Sequence, residues 1–150
     1  MTMQASELAA VKRSVSVPLP VEKAFQLFTD GIGTWWPFVT HSLGGEETED
    51  AVLEPRVGGL VYERRRDGTT EEWADVTAWD PPHRLELSWR VNPTRAEPTE
   101  VEVEFVPEGA GTRVELEHRG WERLEDGPEA RANYDTGWEF VLGRYSEAAR

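Results

Sequence analysis

Three histidines, His41, His83 and His118, and not one cysteine make up the soft ligand and nucleophile chemistry of this chain. No two of the histidines stand three or four residues apart, the spacing at which one helix face offers a metal two ligands, so no metal site is expected. A thiol nucleophile is excluded by composition. There is no Gly-x-Ser-x-Gly elbow and no phosphate-cradling loop ahead of a helix; Gly44-Gly45 and Gly58-Gly59 read as bends. Proton chemistry is left to one histidine and one pair of carboxylates. His118 continues the alternating series Val114, Leu116, where a strand with one buried face would carry a hydrophobe. An imidazole there needs either a hydrogen-bond partner in the core or a ligand, and both readings stand.

The carboxylates are Glu63 and Glu72. Asp67-Gly68 reads as a two-residue hairpin turn. With Arg66 opposite Thr69, the register sets Tyr62 opposite Trp73, Arg64 opposite Glu71 and Glu63 opposite Glu72. On an inner face, beside Val61, Ala74 and Val76, two carboxylates would push one pKa upwards and make an acid or base. On a solvated outer face they would carry only a small repulsion, and the rarity of buried charge pairs favours that placement. No residue is assigned a catalytic role on this basis; His118, Glu63 and Glu72 are the candidates.

The elements that must position these residues are led by the C-terminal stretch, residues 128–149. Tyr134, Trp138, Val141, Leu142, Tyr145 and Ala149 form one apolar stripe at helical spacing. Asp126 stands near the cap and Pro128 in the first turn. Phe140 falls off the stripe and needs other cover, for which the N-terminal arm is the candidate; Gly137 sits at the stripe's edge and leaves room there.

Ahead of this helix, residues 1–10 read as a loose arm, and residues 11–17 alternate as a strand closed by Pro18 and Pro20. A short helix follows over 21–28, then another turn with Ile32, Trp35 and Trp36. The polar, acidic, glycine-containing stretch 38–50 reads as a mobile loop. Strands are expected over 51–54, 60–66, 69–79, 84–91, 100–105 and 112–119, with a polar loop over 92–98. Helices at the two ends of an antiparallel meander indicate α+β, with about six to seven strands curving so that the apolar face of the sheet grips the long helix.

At 150 residues the chain fits one domain over 1–150. Its start lacks the basic and apolar runs of a signal peptide and no stretch is apolar enough to span a bilayer, so the expected location is cytoplasmic, without membrane attachment. A formal charge of -13 repels phosphate backbones and argues against a nucleic-acid partner. Seven tryptophans in so acidic a chain suit either a pocket lined with wide rigid surfaces or an aromatic-rich core.

Several soft motifs fall in a consistent order: Pro20 to Thr29 leading to Trp35-Trp36, Val57-Gly58-Gly59 before a strand, Val76 to Leu85 before Leu87-Ser88-Trp89, Leu116 to Trp121, and Gly137-Trp138 with Leu142. Together they resemble the START-like (SRPBCC) superfamily, and within it the group named for homologues of the activator of Hsp90 ATPase. The resemblance implies a helix-grip fold with a cavity between the curved sheet and the last helix. It also implies binding of a small, largely apolar or aromatic molecule without a cofactor. The liners expected on that fold are Trp35, Trp36 and Phe38 at the mouth, Trp89, Phe105 and His118 from the sheet, and Trp138, Val141 and Leu142 from the helix. An enzyme acting on such a molecule, in the manner of polyketide cyclases, is the second reading, with His118, Glu63 or Glu72 moving protons. A protein that activates a chaperone, as the group's name suggests, is the third.

Overall fold

A computed structural model describes residues 8–91 and 97–150. Most of the expected N-terminal arm and of the expected 92–98 loop therefore lie outside the described residues. The elements run β1 (Val11–Val17), α1 (Val21–Thr29), α2 (Ile32–Trp35), β2 (Thr48–Leu53), β3 (Leu60–Arg65), β4 (Thr70–Asp80), β5 (Arg84–Trp89), β6 (Thr99–Glu108), β7 (Gly111–Arg119) and α3 (Gly127–Ala148). The seven strands form one curved antiparallel sheet in the order β1-β7-β6-β5-β4-β3-β2, so the first strand closes beside the last and β2 is the other edge. Two short helices follow β1 and the long helix follows β7: this is a helix-grip fold.

Alternation explains the middle of the sheet. Leu85, Leu87 and Trp89 of β5, Val101, Val103 and Phe105 of β6, and Val114, Leu116 and His118 of β7 are all buried, and their intervening neighbours carry charge to the outer face. On that outer face Glu86, Glu102 and Glu117 stand directly opposite one another across β5, β6 and β7. Arg119 crosses this acidic row with contacts to all three and to Glu100. The inner face meets Trp138, Val141, Leu142 and Tyr145 of α3, all buried, with Ala149 just past its end. Arg13 of β1 pairs with Asp135 at 2.9 Å and Glu139 at 2.7 Å on the solvent side of the helix, while the Tyr145 hydroxyl donates to the Ala24 carbonyl of α1 at 2.8 Å. Burial pushes the Tyr145 pKa well above the usual phenol range.

Two sequence expectations need correction here. The first is the β3–β4 hairpin, which closes through three residues, Arg66, Asp67 and Gly68. The Gly68 amide donates to the Arg65 carbonyl, the Arg65 amide donates to the Thr69 carbonyl, and Gly68 sits at φ +87°, a conformation that favours glycine. The extra turn residue slides the register by one, so Tyr62 faces Glu72 and Glu63 faces Glu71. The expected Glu63–Glu72 pair does not form. Glu63 is fully buried, against the solvated placement expected for it, whereas Glu72 lies outside and reaches Arg90 at 3.1 Å.

The second correction concerns the stretch 38–50. It carries a turn of 3-10 helix at Gly45–Glu47 and the start of β2, and it is anchored to Glu63. Phe140 is 49% exposed and stacks on the His41 ring at 5.0 Å between centroids. Its neighbour is that loop. Most of the N-terminal arm expected to cover Phe140 lies outside the described residues; at its described end Arg131 reaches the Ala9 carbonyl.

Candidate functional site

The clearest concavity lies between the inner face of the sheet, the first half of α3 and the segment that follows α2. It encloses about 220 Å³, and its walls are built mainly from indoles. Trp36, Trp73, Trp89 and Trp138 form a closed circuit, with centroid distances of 4.9 Å (Trp36 to Trp73), 6.2 Å (Trp73 to Trp89), 5.5 Å (Trp89 to Trp138) and 6.0 Å (Trp138 to Trp36). Each comes from a different element: the end of α2, β4, β5 and α3.

Trp73 reaches this circuit through a β-bulge. The β3–β4 register steps between Val61 and Tyr62, so Trp73 is the unpaired residue and both it and Ala74 are buried. Strict alternation from Ala74 and Val76 would have turned Trp73 outwards. Once inside, its indole nitrogen donates to Glu63 at 2.8 Å.

Glu63 is therefore a hub behind the cleft wall. Its carboxylate accepts from the backbone amides of Leu43 and Gly44, both at 2.7 Å, from the Thr48 hydroxyl at 2.8 Å and from Trp73, with Arg65 at 3.3 Å. Burial by itself would raise its pKa, but the bonds from Trp73, Leu43, Thr48 and Gly44 outweigh that and hold the carboxyl below the ordinary range. It is a structural anion that fixes the loop on the cleft's lip. Gly44 is required there, since a Cβ would come within 2.6 Å of Arg65 Nε and Thr48 Oγ1 and 2.9 Å of a Glu63 oxygen.

His118 lies one layer behind the indoles. The Trp138 nitrogen donates to Nδ1 at 2.9 Å, and Nε2 meets the Thr99 hydroxyl at 2.7 Å. An indole N–H can only donate, so Nδ1 accepts and the ring proton sits on Nε2. Both nitrogens thus have protein partners, and the ring is fully buried.

Of the residues singled out from sequence, Trp36, Trp89, Trp138 and Val141 line the cleft. Trp35, Phe105 and Leu142 are core residues outside its lining. Trp35 packs on Phe28 and Tyr145, and Phe105 on Phe25 and Phe28. Phe38 lines a shallower depression with Phe140 and Arg144. Sequence reasoning missed Trp73, Val91, Tyr134, Gly137 and the lip residues Thr40 to Leu43 as liners. Tyr134 was visible on the helical stripe, and His41 was visible as a histidine beside the tryptophan pair.

The polar groups of the lining are nearly all spent within the protein. Trp36 donates to the His41 carbonyl, Trp73 to Glu63, Trp89 to the Tyr134 hydroxyl and Trp138 to His118. The Tyr134 hydroxyl donates to the Val91 carbonyl, and that of Ser42 to the Phe38 carbonyl. Thr40 Oγ1 lies 2.7 Å from His41 Nδ1, and partial burial holds the His41 pKa below its ordinary value. The indoles consequently show the cleft their ring faces and edges, and it presents a largely apolar aromatic surface.

An anthrahydroquino-γ-pyrone synthase, Txn09, solved in complex with SUM, is 35% identical, with 96% of this chain and 99% of that chain covered and a TM-score of 0.63. CalC from Micromonospora echinospora, described as a self-sacrificing resistance protein, is 28% identical over 95% of each chain at a TM-score of 0.68. The Aha1 dimer from Colwellia psychrerythraea, at 20% identity, 93% and 95% coverage and a TM-score of 0.68, shares the fold. Among curated proteins none matches in sequence. Residues 18–147 match the family model for Activator of Hsp90 ATPase homolog 1-like protein, and the chain belongs to that family.

Proposed function

We propose that this protein binds a flat, largely apolar aromatic molecule in the cleft between the curved sheet and α3. The observation that carries the reading is the circuit of four indoles on one cleft with every indole N–H already bonded inside the protein. Such a surface rewards ring stacking and apolar contact and offers little to a highly polar solute. The 35% identical synthase, whose described product is built on fused aromatic rings, supports the same class of ligand. Titration with fused-ring aromatics should quench tryptophan fluorescence saturably, and Trp89→Ala should weaken that binding. A panel of such compounds that leaves the emission unchanged overturns the reading. Native mass spectrometry of the purified protein tests it independently, through any small molecule that co-purifies.

The second reading is catalysis of ring closure in such a molecule, and it is favoured by that relative's description as a synthase. Incubation with an aromatic polyketide and chromatography with mass detection checks it. An isomeric or dehydrated product formed only with active protein supports catalysis, and unchanged substrate leaves binding alone.

A further inference from the structure

Around a cleft whose indoles are all committed, one side-chain polar atom stands apart. Among the described residues, His41 Nε2 has no hydrogen-bond partner, while the other side-chain polar groups of the lining each have one. Its ring is fixed on two sides, by the 5.0 Å stack on Phe140 and by the 2.7 Å contact from Nδ1 to Thr40 Oγ1. The remaining edge faces α3 at Gly137, where an added Cβ would stand 3.9 Å from Cδ2 and 4.0 Å from Nε2. Glycine at 137 thus leaves that edge uncovered at the mouth of an apolar cleft.

We propose that His41 determines ligand selection, its Nε2 accepting the O–H of a single hydroxyl on the outward edge of a flat fused-ring phenol. This rests on the aromatic-ligand reading above and specifies it. The Thr40 hydroxyl can accept from Nδ1–H, which leaves the Nε2 lone pair for the ligand. Stacking on Phe140 fixes the plane in which that lone pair points. A phenolic O–H is the fitting donor, because its ring carbons match the indole walls while its one polar group meets the side-chain acceptor left uncommitted among the described lining residues. Ligands with several polar groups would bury the rest against indole faces without partners.

The test is equilibrium dialysis of 2-naphthol and 2-methoxynaphthalene against wild type, His41→Phe, His41→Gln and Gly137→Ala. Wild type is expected to prefer 2-naphthol by about five- to tenfold, the worth of one net hydrogen bond. His41→Phe keeps the stack on Phe140 and should bind both compounds alike, at the level of the methoxy compound. His41→Gln, which retains an acceptor oxygen, should keep part of the preference. Gly137→Ala adds a methyl at ordinary contact distance and should reduce the preference while the protein melts no lower than wild type. Equal binding of both compounds by wild type overturns the proposal and leaves the aromatic-ligand reading standing, as does a naphthol preference that survives in His41→Phe. Binding of neither compound by wild type overturns both.

Discussion

Trp138 Nε1 donates to His118 Nδ1 across 2.9 Å, joining the middle of the long helix to the last strand of the sheet behind the cleft. Replacing His118 by phenylalanine leaves that indole and the Thr99 hydroxyl buried without their partner. A loss of about 1 to 3 kcal/mol is expected, the scale for an orphaned buried group. Because the ring stands behind the cleft wall, aromatic binding should survive the change. Thermal melts and a fluorescence titration of the same variant check both halves; a variant as stable as wild type would mean that the bond contributes nothing net.

Glu63 predicts an acid response. Its folded pKa lies below the ordinary carboxylate value of 4.5, so its contribution to stability is complete above that value. The contribution is lost as pH falls through the depressed folded pKa. Glu63→Gln should cost about 2 to 4 kcal/mol at neutral pH, since an amide accepts through one oxygen and sets its own N–H groups against the donors. Denaturation curves between neutral and acid pH should converge for the two proteins as pH drops, and a constant gap would contradict the sign.

Tyr145 predicts the opposite dependence. Its raised folded pKa means that the neutral phenol is favoured in the native state, so its stabilisation is present below the ordinary value of 10.0 and is lost as pH climbs above it. Tyr145 should ionise only as the protein unfolds, which alkaline absorbance titrations of wild type and Tyr145→Phe side by side would show. Tyr145→Phe removes the bond to the Ala24 carbonyl and should cost about 1 kcal/mol.

Arg119 predicts a salt effect. Without it, Glu86, Glu102 and Glu117 face one another across three strands with less neutralising charge. Arg119→Ala should be destabilised by about 1 kcal/mol in dilute buffer and by less near 1 M salt, where repulsion between exposed charges is screened. Urea midpoints at the two salt concentrations measure the difference.

Much of the fold was legible because its signals are local and periodic. The α3 stripe places Trp138, Val141, Leu142 and Tyr145 inwards, and alternation does the same for Leu85, Leu87 and Trp89, as the burial of all seven shows. The site was less legible, because it depends on departures from period. One extra residue in the Arg66–Gly68 turn shifts the hairpin register, and one bulge at Trp73 reverses the face. Glu63 faces inwards by alternation from Val61, and the bulge brings Trp73 inside beside it, where a regular ladder would have paired Glu63 with Glu72 and turned Trp73 out. His41 and Leu43 sit in a loop without periodicity, and only its place directly after the tryptophan pair points to the cleft. Their position follows from a carboxylate about twenty residues further along the chain.

That carboxylate grips the lip through backbone amides at Leu43 and Gly44. A main-chain N–H is common to every residue except proline, so side chains at 41 and 43 can be exchanged without surrendering this anchor, while Gly44 cannot, and Ser42 holds the loop through its own hydroxyl. The site thus divides into an aromatic box whose members are tied to one another and a rim open to rewriting. New ligand preferences can be engineered into this scaffold, or drift into it, by substitutions at the two loop positions 41 and 43, with the indole walls left as they are.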